Sequence, residues 1–245
     1  MTERSKDTAI HSRSSQEALG MFAADTGGLS SAEAARRLAE HGRNRLPDPP
    51  RRSPLLRFLS HFHNVLIYVL LASALVTAAL QHWIDTGVSL AVVIVNAVIG
   101  YIQEGRAEQA MEAIRDMLAP QSTVLRDGRR ARVEAAELVP GDIVLIEAGD
   151  RVPADVRLIE ARGLKAEEAI LTGESVPVDK GSAPVAVDAA LGDRSSMLFS
   201  GTLAAAGAGR GVVAATGAET QIGQISGMLA QVEALTTPLV AQMDH

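Results

Sequence analysis

A polar stretch at 171–175, with the sequence Leu-Thr-Gly-Glu-Ser, contains the residues best suited to chemistry. A carboxylate held on a tight loop can orient a water molecule and accept its proton, which makes Glu174 the candidate catalytic residue. Gly173 beside it lets the backbone approach another surface without an intervening side chain. The same residues also fit a plain surface turn with a solvated glutamate, so this stretch alone leaves both interpretations open.

Further motifs surround this stretch in a definite order. Upstream lie Pro140-Gly141-Asp142 and the segment 149–155, which reads Gly-Asp-Arg-Val-Pro-Ala-Asp. Downstream lie Gly201-Thr202 and the segment 215–225, which begins Ala-Thr-Gly and continues with Thr220, Ile222 and Gly223. This ordered set resembles the actuator domain of the P-type ATPases, in their cation-transporting branch. The resemblance extends through the regions 96–104 and 29–47, so that it covers nearly the whole chain.

Most of the surrounding motifs also have a structural interpretation. Asp142 and Asp150 are typical of turns, in which a short acidic side chain accepts hydrogen bonds from nearby backbone amides. Gly201, followed by Thr202, indicates a β-bulge or a close approach of two backbones within a strand. We therefore predict structural roles for these residues.

The resemblance implies a mechanism for the complete family enzyme. Such a pump uses ATP and Mg²⁺ to phosphorylate an aspartate in a separate domain, and a Thr-Gly-Glu loop then turns in to promote hydrolysis of the aspartyl phosphate. By this resemblance Glu174 would position the water, while Thr172 and Gly173 would shape the loop and contact the phosphorylated domain. The family's Asp-Lys-Thr-Gly-Thr phosphorylation motif is absent from this sequence. We therefore expect the chain alone to bind neither ATP nor Mg²⁺ and to be inactive by itself.

One position departs from the family pattern. Just before the loop the family usually carries Asp-Glu-Ser, whereas this chain has Glu167, Glu168 and Ala169, which puts a local hydrogen bond in doubt. We interpret Glu168 as a carboxylate outside the motif, and we expect its change to glutamine to leave dephosphorylation within a few fold of wild type.

Composition narrows the class of partner. The 245 residues are 47% hydrophobic but only 3% aromatic, which favours packed small aliphatic side chains in a membrane or a tight β-domain. A net charge of −6 without a clustered basic face argues against nucleic acid. The chain has no cysteine, which excludes thiolate metal ligands within it. In the family that it resembles, pumps for soft metals often carry Cys-x-x-Cys modules ahead of the membrane, so the resemblance weakly favours a hard cation such as Ca²⁺, Mg²⁺, Na⁺ or K⁺. His61 and His63 have no third ligand nearby, so we interpret them as an interfacial anchor and predict no metal site.

Two uncharged stretches, 62–81 and 86–103, are long enough to cross a membrane, since about 20 apolar residues span about 30 Å of hydrocarbon. We predict a transmembrane hairpin with a short turn at 81–85. A buried helical hairpin of a soluble protein is the alternative. Arginines flank both outer ends and the turn has no basic residue other than His82, so the positive-inside rule predicts an integral protein of the cell membrane with both termini cytoplasmic.

Local patterns divide the remaining sequence. Ser14 with Glu17, and Ser30 with Glu33, have capping-box spacing and predict two short helices before a proline-rich linker at 43–54. An apolar stripe continues the second span as a stalk to about residue 118. The Asp-Gly at 127–128 is typical of a hairpin, and 220–232 has the spacing of a closing helix. Short β-like runs lie at 123–126, 131–133, 143–147, 156–160, 166–171, 197–204 and 211–215.

Together these patterns predict a multidomain α+β membrane protein. Residues 1–54 would form N-terminal cytoplasmic helices with a linker, and 55–118 a two-helix transmembrane hairpin with a cytoplasmic stalk. Residues 119–232 would form a β-rich distorted jelly-roll actuator domain, and 233–245 the lead-in to a missing third span. We expect the N-terminal portion of an ATP-driven cation pump. Its partners would be the lipid membrane, the transported cation, and the phosphorylation and nucleotide-binding domains. The alternatives are a non-enzymatic, membrane-anchored module that binds or regulates a complete pump, and a soluble β-domain.

Overall fold

The computed structural model describes residues 9–46, 53, 58–60, 62–117 and 120–233, which fall into two compact units. The described residues up to 46 and those from 120 onward form one unit. The helices between them form the other. The N-terminal helices therefore belong to the same unit as the chain that follows the stalk.

The two predicted N-terminal helices are confirmed as α1, Ser15–Met21, and α2, Ser31–His41. At α1 the capping box is complete, because the Ser14 hydroxyl accepts from the Glu17 amide while the Glu17 carboxylate accepts from the Ser14 amide. At α2 only the first half forms. The Glu33 carboxylate turns instead to Arg36 and Arg37, at 2.7 Å from each.

The second unit contains two apolar helices, α3, Val65–Ala79, and α4, Trp83–Met117. Within α4 the stretch Trp83–Ala107 is long and apolar enough to cross a membrane, with a mean hydropathy of 1.8. By contrast α3 has 15 residues, or about 22 Å of helix, which is shorter than about 30 Å of hydrocarbon. One candidate span is therefore found among the described residues, and a two-span transmembrane hairpin is not confirmed.

The turn between the two helices differs from the sequence-based expectation, whereas the length of α4 agrees with it. The predicted turn at 81–85 is shorter than expected, because Gln81 adopts a left-handed conformation with φ of 62° and α4 already begins at Trp83. The predicted continuation of the helix is observed, since α4 runs unbroken to Met117, while its role as a cytoplasmic stalk stays a prediction. Large apolar side chains on both helices are exposed, for example 75% of Leu75 and 83% of Ile84. Such a surface favours lipid over water.

Seven strands form one antiparallel sheet in the order β2-β1-β3-β7-β4-β5, with β6 beside β4. The predicted hairpin is confirmed, since Asp127 and Gly128 join β1 to β2 with positive φ at both positions. The description as a distorted jelly roll goes further than this sheet shows. The strands are β1 Gln121–Arg126, β2 Arg129–Glu134, β3 Ile143–Glu147, β4 Asp155–Glu167, β5 Val178–Asp179, β6 Met197–Leu198 and β7 Leu203–Ala215.

Several predicted strand limits are wrong. The expected strand at 166–171 ends at Glu167, where the chain turns into one helical turn, α5, Ala169–Thr172. The expected strand at 197–204 is interrupted, because Gly201 has φ of 85° in a turn between β6 and β7. An added Cβ at Gly201 would meet no atom within 4 Å, so this glycine is neither a bulge nor a close approach. The closing helix is confirmed as α6, Gln221–Glu233.

The pairing of β4 with β7 is the longest in the sheet and is irregular at several points. At Gly211 the two backbones press together, because an added Cβ would lie 2.5 Å from the Arg157 carbonyl oxygen and 2.5 Å from Val156 Cγ1. The sheet therefore requires a residue without a side chain at this position.

Arg157 of β4 is fully buried and connects the N-terminal segment to the sheet. Its guanidinium donates to the carbonyl oxygens of Ile10 at 3.2 Å, Arg13 at 2.6 Å and Ser182 at 3.1 Å. Burial lowers the pKa of this side chain. The hydrogen bonds to carbonyl dipoles stabilise the cation in the absence of a carboxylate partner among the described residues.

The predicted turn roles of two aspartates are confirmed. Asp142 is fully buried and accepts from the Val139 amide at 3.0 Å and from the Arg126 guanidinium at 2.6 Å. Asp150 accepts from the Glu147 amide at 2.9 Å. Both carboxylates therefore close turns on either side of β3.

Gly211→Ala tests the close approach of the two long strands. The added methyl group must displace backbone, and overpacking of this kind costs about 1–3 kcal/mol. Hydrogen exchange of the β4 and β7 amides should accelerate accordingly. Gly181→Ala is the control, because the Cβ of this half-buried residue would meet no atom within 4 Å and its φ lies outside the left-handed region, so the change should cost little. Equal protection in the two variants would contradict this interpretation.

Candidate functional site

The stretch 171–175 lies at the edge of the sheet, between β4 and β5. After β4 the chain makes the single turn of α5, passes through the loop and returns as β5, which pairs with the end of β4. An exposed ion pair joins Lys165 to Asp179 at 3.1 Å across this pairing. β5 is the terminal strand of the sheet, and its pairing with β4 holds the base of the loop.

Hydrogen bonds within the loop fix its backbone. The Gly173 amide donates to the Ala169 carbonyl oxygen at 2.9 Å, and Gly173 itself has φ of 78°, a left-handed conformation that favours glycine. The Thr172 hydroxyl donates to the Glu168 carbonyl oxygen at 3.1 Å and accepts from the Glu174 amide at 3.2 Å. Thr172 therefore connects the start of the turn to the residue that carries the candidate catalytic carboxylate.

The Glu174 side chain is exposed, as are Thr172, Gly173 and Ser175 around it. Two apolar side chains close to this tip are also exposed, 59% of Ile170 and 73% of Val176. The structure thus presents one carboxylate on an ordered loop, flanked by apolar groups. A second surface that covered these groups would exclude water from around the carboxylate.

A buried ion pair lies beneath the loop. Glu168 Oε1 and Lys180 Nζ are 2.6 Å apart, with side-chain exposures of 1% and 0%. Within the described part of the chain neither group has a hydrogen-bond partner, so the ion pair is their main interaction, and Lys180 Nζ lies 5.6 Å from the centre of the Phe199 ring. Burial raises the pKa of Glu168 and lowers that of Lys180, and in each case the attraction of the partner opposes the shift.

This ion pair corrects the interpretation of Glu168. The sequence places Glu168 outside the motif and predicts little effect of its change to glutamine, but the structure buries it completely against Lys180. The sequence does place opposite charges, Glu168 and Lys180, at the two ends of the stretch that contains the loop, which is the one hint of an ion pair. Sequence alone gave no reason to expect that the two ends meet.

The other sequence-predicted motifs are not brought into this loop. Asp142 and Asp150 close their own turns, and Gly201 lies in the turn after β6. Among the described residues there is no group of three or more acidic, histidine or cysteine side chains that could hold a metal ion. His61 lies outside the described residues, so the interpretation of the pair His61 and His63 stays a prediction.

Comparison with known proteins identifies the family. Residues 116–230 match the model of the P-type ATPase actuator domain, and residues 10–77 match that of the cation transporter/ATPase N-terminus. The chain belongs to the P-type cation-transporting ATPases. The family assignment that the motifs predicted is confirmed, and the loop described above lies within the matched actuator region.

Individual relatives align along almost the whole chain. The probable cation-transporting ATPase F of Mycobacterium tuberculosis is 43% identical over 240 residues, which is 98% of this chain and 26% of that protein. A calcium-transporting ATPase of Bacillus subtilis is 42% identical over 222 residues, 89% of this chain and 25% of that protein. The cation-transporting ATPase pma1 of Synechocystis is 41% identical over 230 residues, 94% and 25% respectively. The chain therefore spans about a quarter of the length of these relatives.

Thr172→Val tests the connection within the loop. Valine keeps the branched shape but removes both hydrogen bonds of the hydroxyl, each worth about 0.5–1.5 kcal/mol. Exchange of the Glu174 amide should accelerate by about 5- to 30-fold, measured by hydrogen exchange with mass spectrometry or NMR.

Ser175→Ala is the matched control, since it also removes a hydroxyl from an exposed residue of the loop. Its Glu174 amide should exchange at the wild-type rate. If the two variants behaved alike, the Thr172 hydroxyl would not hold the loop.

Proposed function

We propose that the chain is the N-terminal part of an ATP-driven cation pump, in which Glu174 promotes hydrolysis of an aspartyl phosphate formed elsewhere in the pump. The observation that carries the proposal is the exposed carboxylate at the tip of a loop whose backbone is fixed and whose base is held by a buried ion pair. Membership of the P-type ATPase family supports the same reaction class.

For this reaction the chain needs mainly to hold one carboxylate in the right position. An acyl phosphate is already activated, so hydrolysis needs a water in line with the bond to be broken and a carboxylate about 2.6–3.2 Å from that water. Glu174 would accept the proton of the attacking water. Thr172 and Gly173 would keep the loop in shape, and the apolar groups of Ile170 and Val176 would exclude solvent when the loop docks.

Other parts of the reaction would be carried by chain outside this sequence. ATP and Mg²⁺ would bind to the phosphorylation and nucleotide-binding domains and supply the phosphoryl group. The cargo would be a cation, as the names of the relatives indicate for those proteins.

The proposed arrangement places the regions 1–54 and 119–232 on the cytoplasmic side, joined by membrane helices and a stalk within 55–118, with 233–245 leading to a third span. The arginines beside the outer ends of the apolar stretches support this orientation. It allows the loop to meet a domain phosphorylated by cytoplasmic ATP.

Single cysteines test the orientation, because the chain has none of its own. Leu80→Cys lies in the turn between α3 and α4, and Asp188→Cys lies on an exposed loop of the sheet unit. In intact cells an impermeant thiol reagent should label the first and should label the second only after permeabilisation. The reverse pattern would contradict the proposed topology.

Glu174→Gln tests the catalytic role in the complete pump that contains this chain. Glutamine keeps the size of the side chain but removes its charge and basicity, so dephosphorylation should slow by about 10²–10⁴-fold, while phosphorylation by ATP is largely spared. Phosphoenzyme should accumulate, and its decay after an ATP chase gives the rate constant.

Glu147→Gln is the matched control, since Glu147 is an exposed glutamate at the end of β3, away from the loop in sequence and in the sheet. Its phosphoenzyme should decay within a few fold of the wild-type rate. Wild-type decay in Glu174→Gln would leave the loop as a structural turn only.

A further inference from the structure

The buried pair of Glu168 and Lys180 occupies the two ends of the loop that carries Glu174. Glu168 directly precedes α5, and its carbonyl oxygen accepts from the Leu171 and Thr172 amides, at 2.9 and 3.0 Å, and from the Thr172 hydroxyl. Lys180 directly follows β5, and its amide donates to the Leu164 carbonyl oxygen at 2.8 Å. A shift of either side chain therefore moves backbone that belongs to the loop.

Each charge of the buried pair is stabilised mainly by the other. Two groups with almost no exposure have given up hydration, and within the described residues each has only the other as a charged partner at contact distance. Removing one partner leaves an isolated buried charge, which is strongly unfavourable and drives the remaining group toward water or toward its neutral form. Replacing both by neutral groups of similar volume removes that penalty.

We propose that Glu168 and Lys180 are positioning residues for the dephosphorylation reaction, which set the orientation of the Thr172–Glu174 loop through the backbone that they anchor. This inference rests on the proposed function of Glu174. Neither side chain reaches the tip of the loop, and both act through it. The Thr172 hydroxyl carries the coupling, since it bonds to the Glu168 carbonyl oxygen at one end and the Glu174 amide at the other.

The test uses Glu168→Gln, Lys180→Met and the double variant in the complete pump, with Glu168→Asp as a variant that keeps the charge but shortens the side chain. The readout is the first-order decay constant of phosphoenzyme after an ATP chase. This constant does not depend on how much protein folds, so a purely structural role would leave it unchanged. Each single change should slow decay by about 10- to 100-fold, since a displacement of about 1 Å can cost about 10²-fold. The double variant should recover to within a few fold of wild type.

A second readout tests the positioning without the reaction. Hydrogen exchange of the Gly173 and Glu174 amides should accelerate about 10-fold or more in the single variants and return toward the wild-type rate in the double variant. If a glutamine or methionine variant fails to accumulate, Glu168→Asp decides, with decay slowed by about 10-fold.

The outcomes separate this inference from the proposed function. Wild-type decay and wild-type exchange in the single variants, beside slow decay in Glu174→Gln, would overturn the positioning role alone. A double variant as slow as the single variants would also overturn it, because mutual neutralisation would then be irrelevant. Fast decay in Glu174→Gln would overturn the proposed function, and the exchange measurements would still decide whether the pair orders the loop.

Discussion

The long antiparallel pairing of β4 with β7 is the constraint on which the rest of the sheet unit depends. It needs a glycine at 211, where a side chain would collide with the β4 backbone. It also fixes Arg157, which holds the N-terminal segment through the carbonyl oxygens of Ile10 and Arg13 and the chain after β5 through that of Ser182. At its far end β4 leads to Glu168 and the loop at 171–175. One pair of strands thus connects the N-terminal segment, the core and the site.

Much of this arrangement follows from the sequence. Local patterns predicted the local features. These are the Asp-Gly hairpin, the two capped helices, the turn roles of Asp142 and Asp150, the closing helix and the long helix α4. The candidate residues 172–174 were also recognisable, because their order among the neighbouring motifs carried the family resemblance. The motif could therefore be located from the sequence, whereas the buried contact at the base of the loop could not.

What the sequence did not predict has two origins: local backbone conformations that residue patterns do not specify, and one contact that forms only when two strands pair. The run 166–171 has the apolar composition of a strand, but the bond from Thr172 to the Glu168 carbonyl oxygen and the left-handed Gly173 turn it into a helical turn. The ion pair of Glu168 with Lys180 forms only when β5 returns to β4. Gly201 looks like a bulge from its neighbours, whereas the break between β6 and β7 makes it a turn residue. The first apolar stretch gave a helix of 15 residues, since its C-terminal end is set by the left-handed Gln81.

The central claim is that a loop built by this chain acts on a phosphorylated aspartate in another part of the pump. A structure of the complete pump with aluminium fluoride on that aspartate, as a mimic of the phosphoryl group in transfer, tests it most directly. We expect the Glu174 carboxylate to lie about 2.6–3.2 Å from a water in line with the fluoride group, with Glu168 and Lys180 still in contact below the loop. A loop that faces solvent, with no carboxylate of this chain near the mimic, would contradict it.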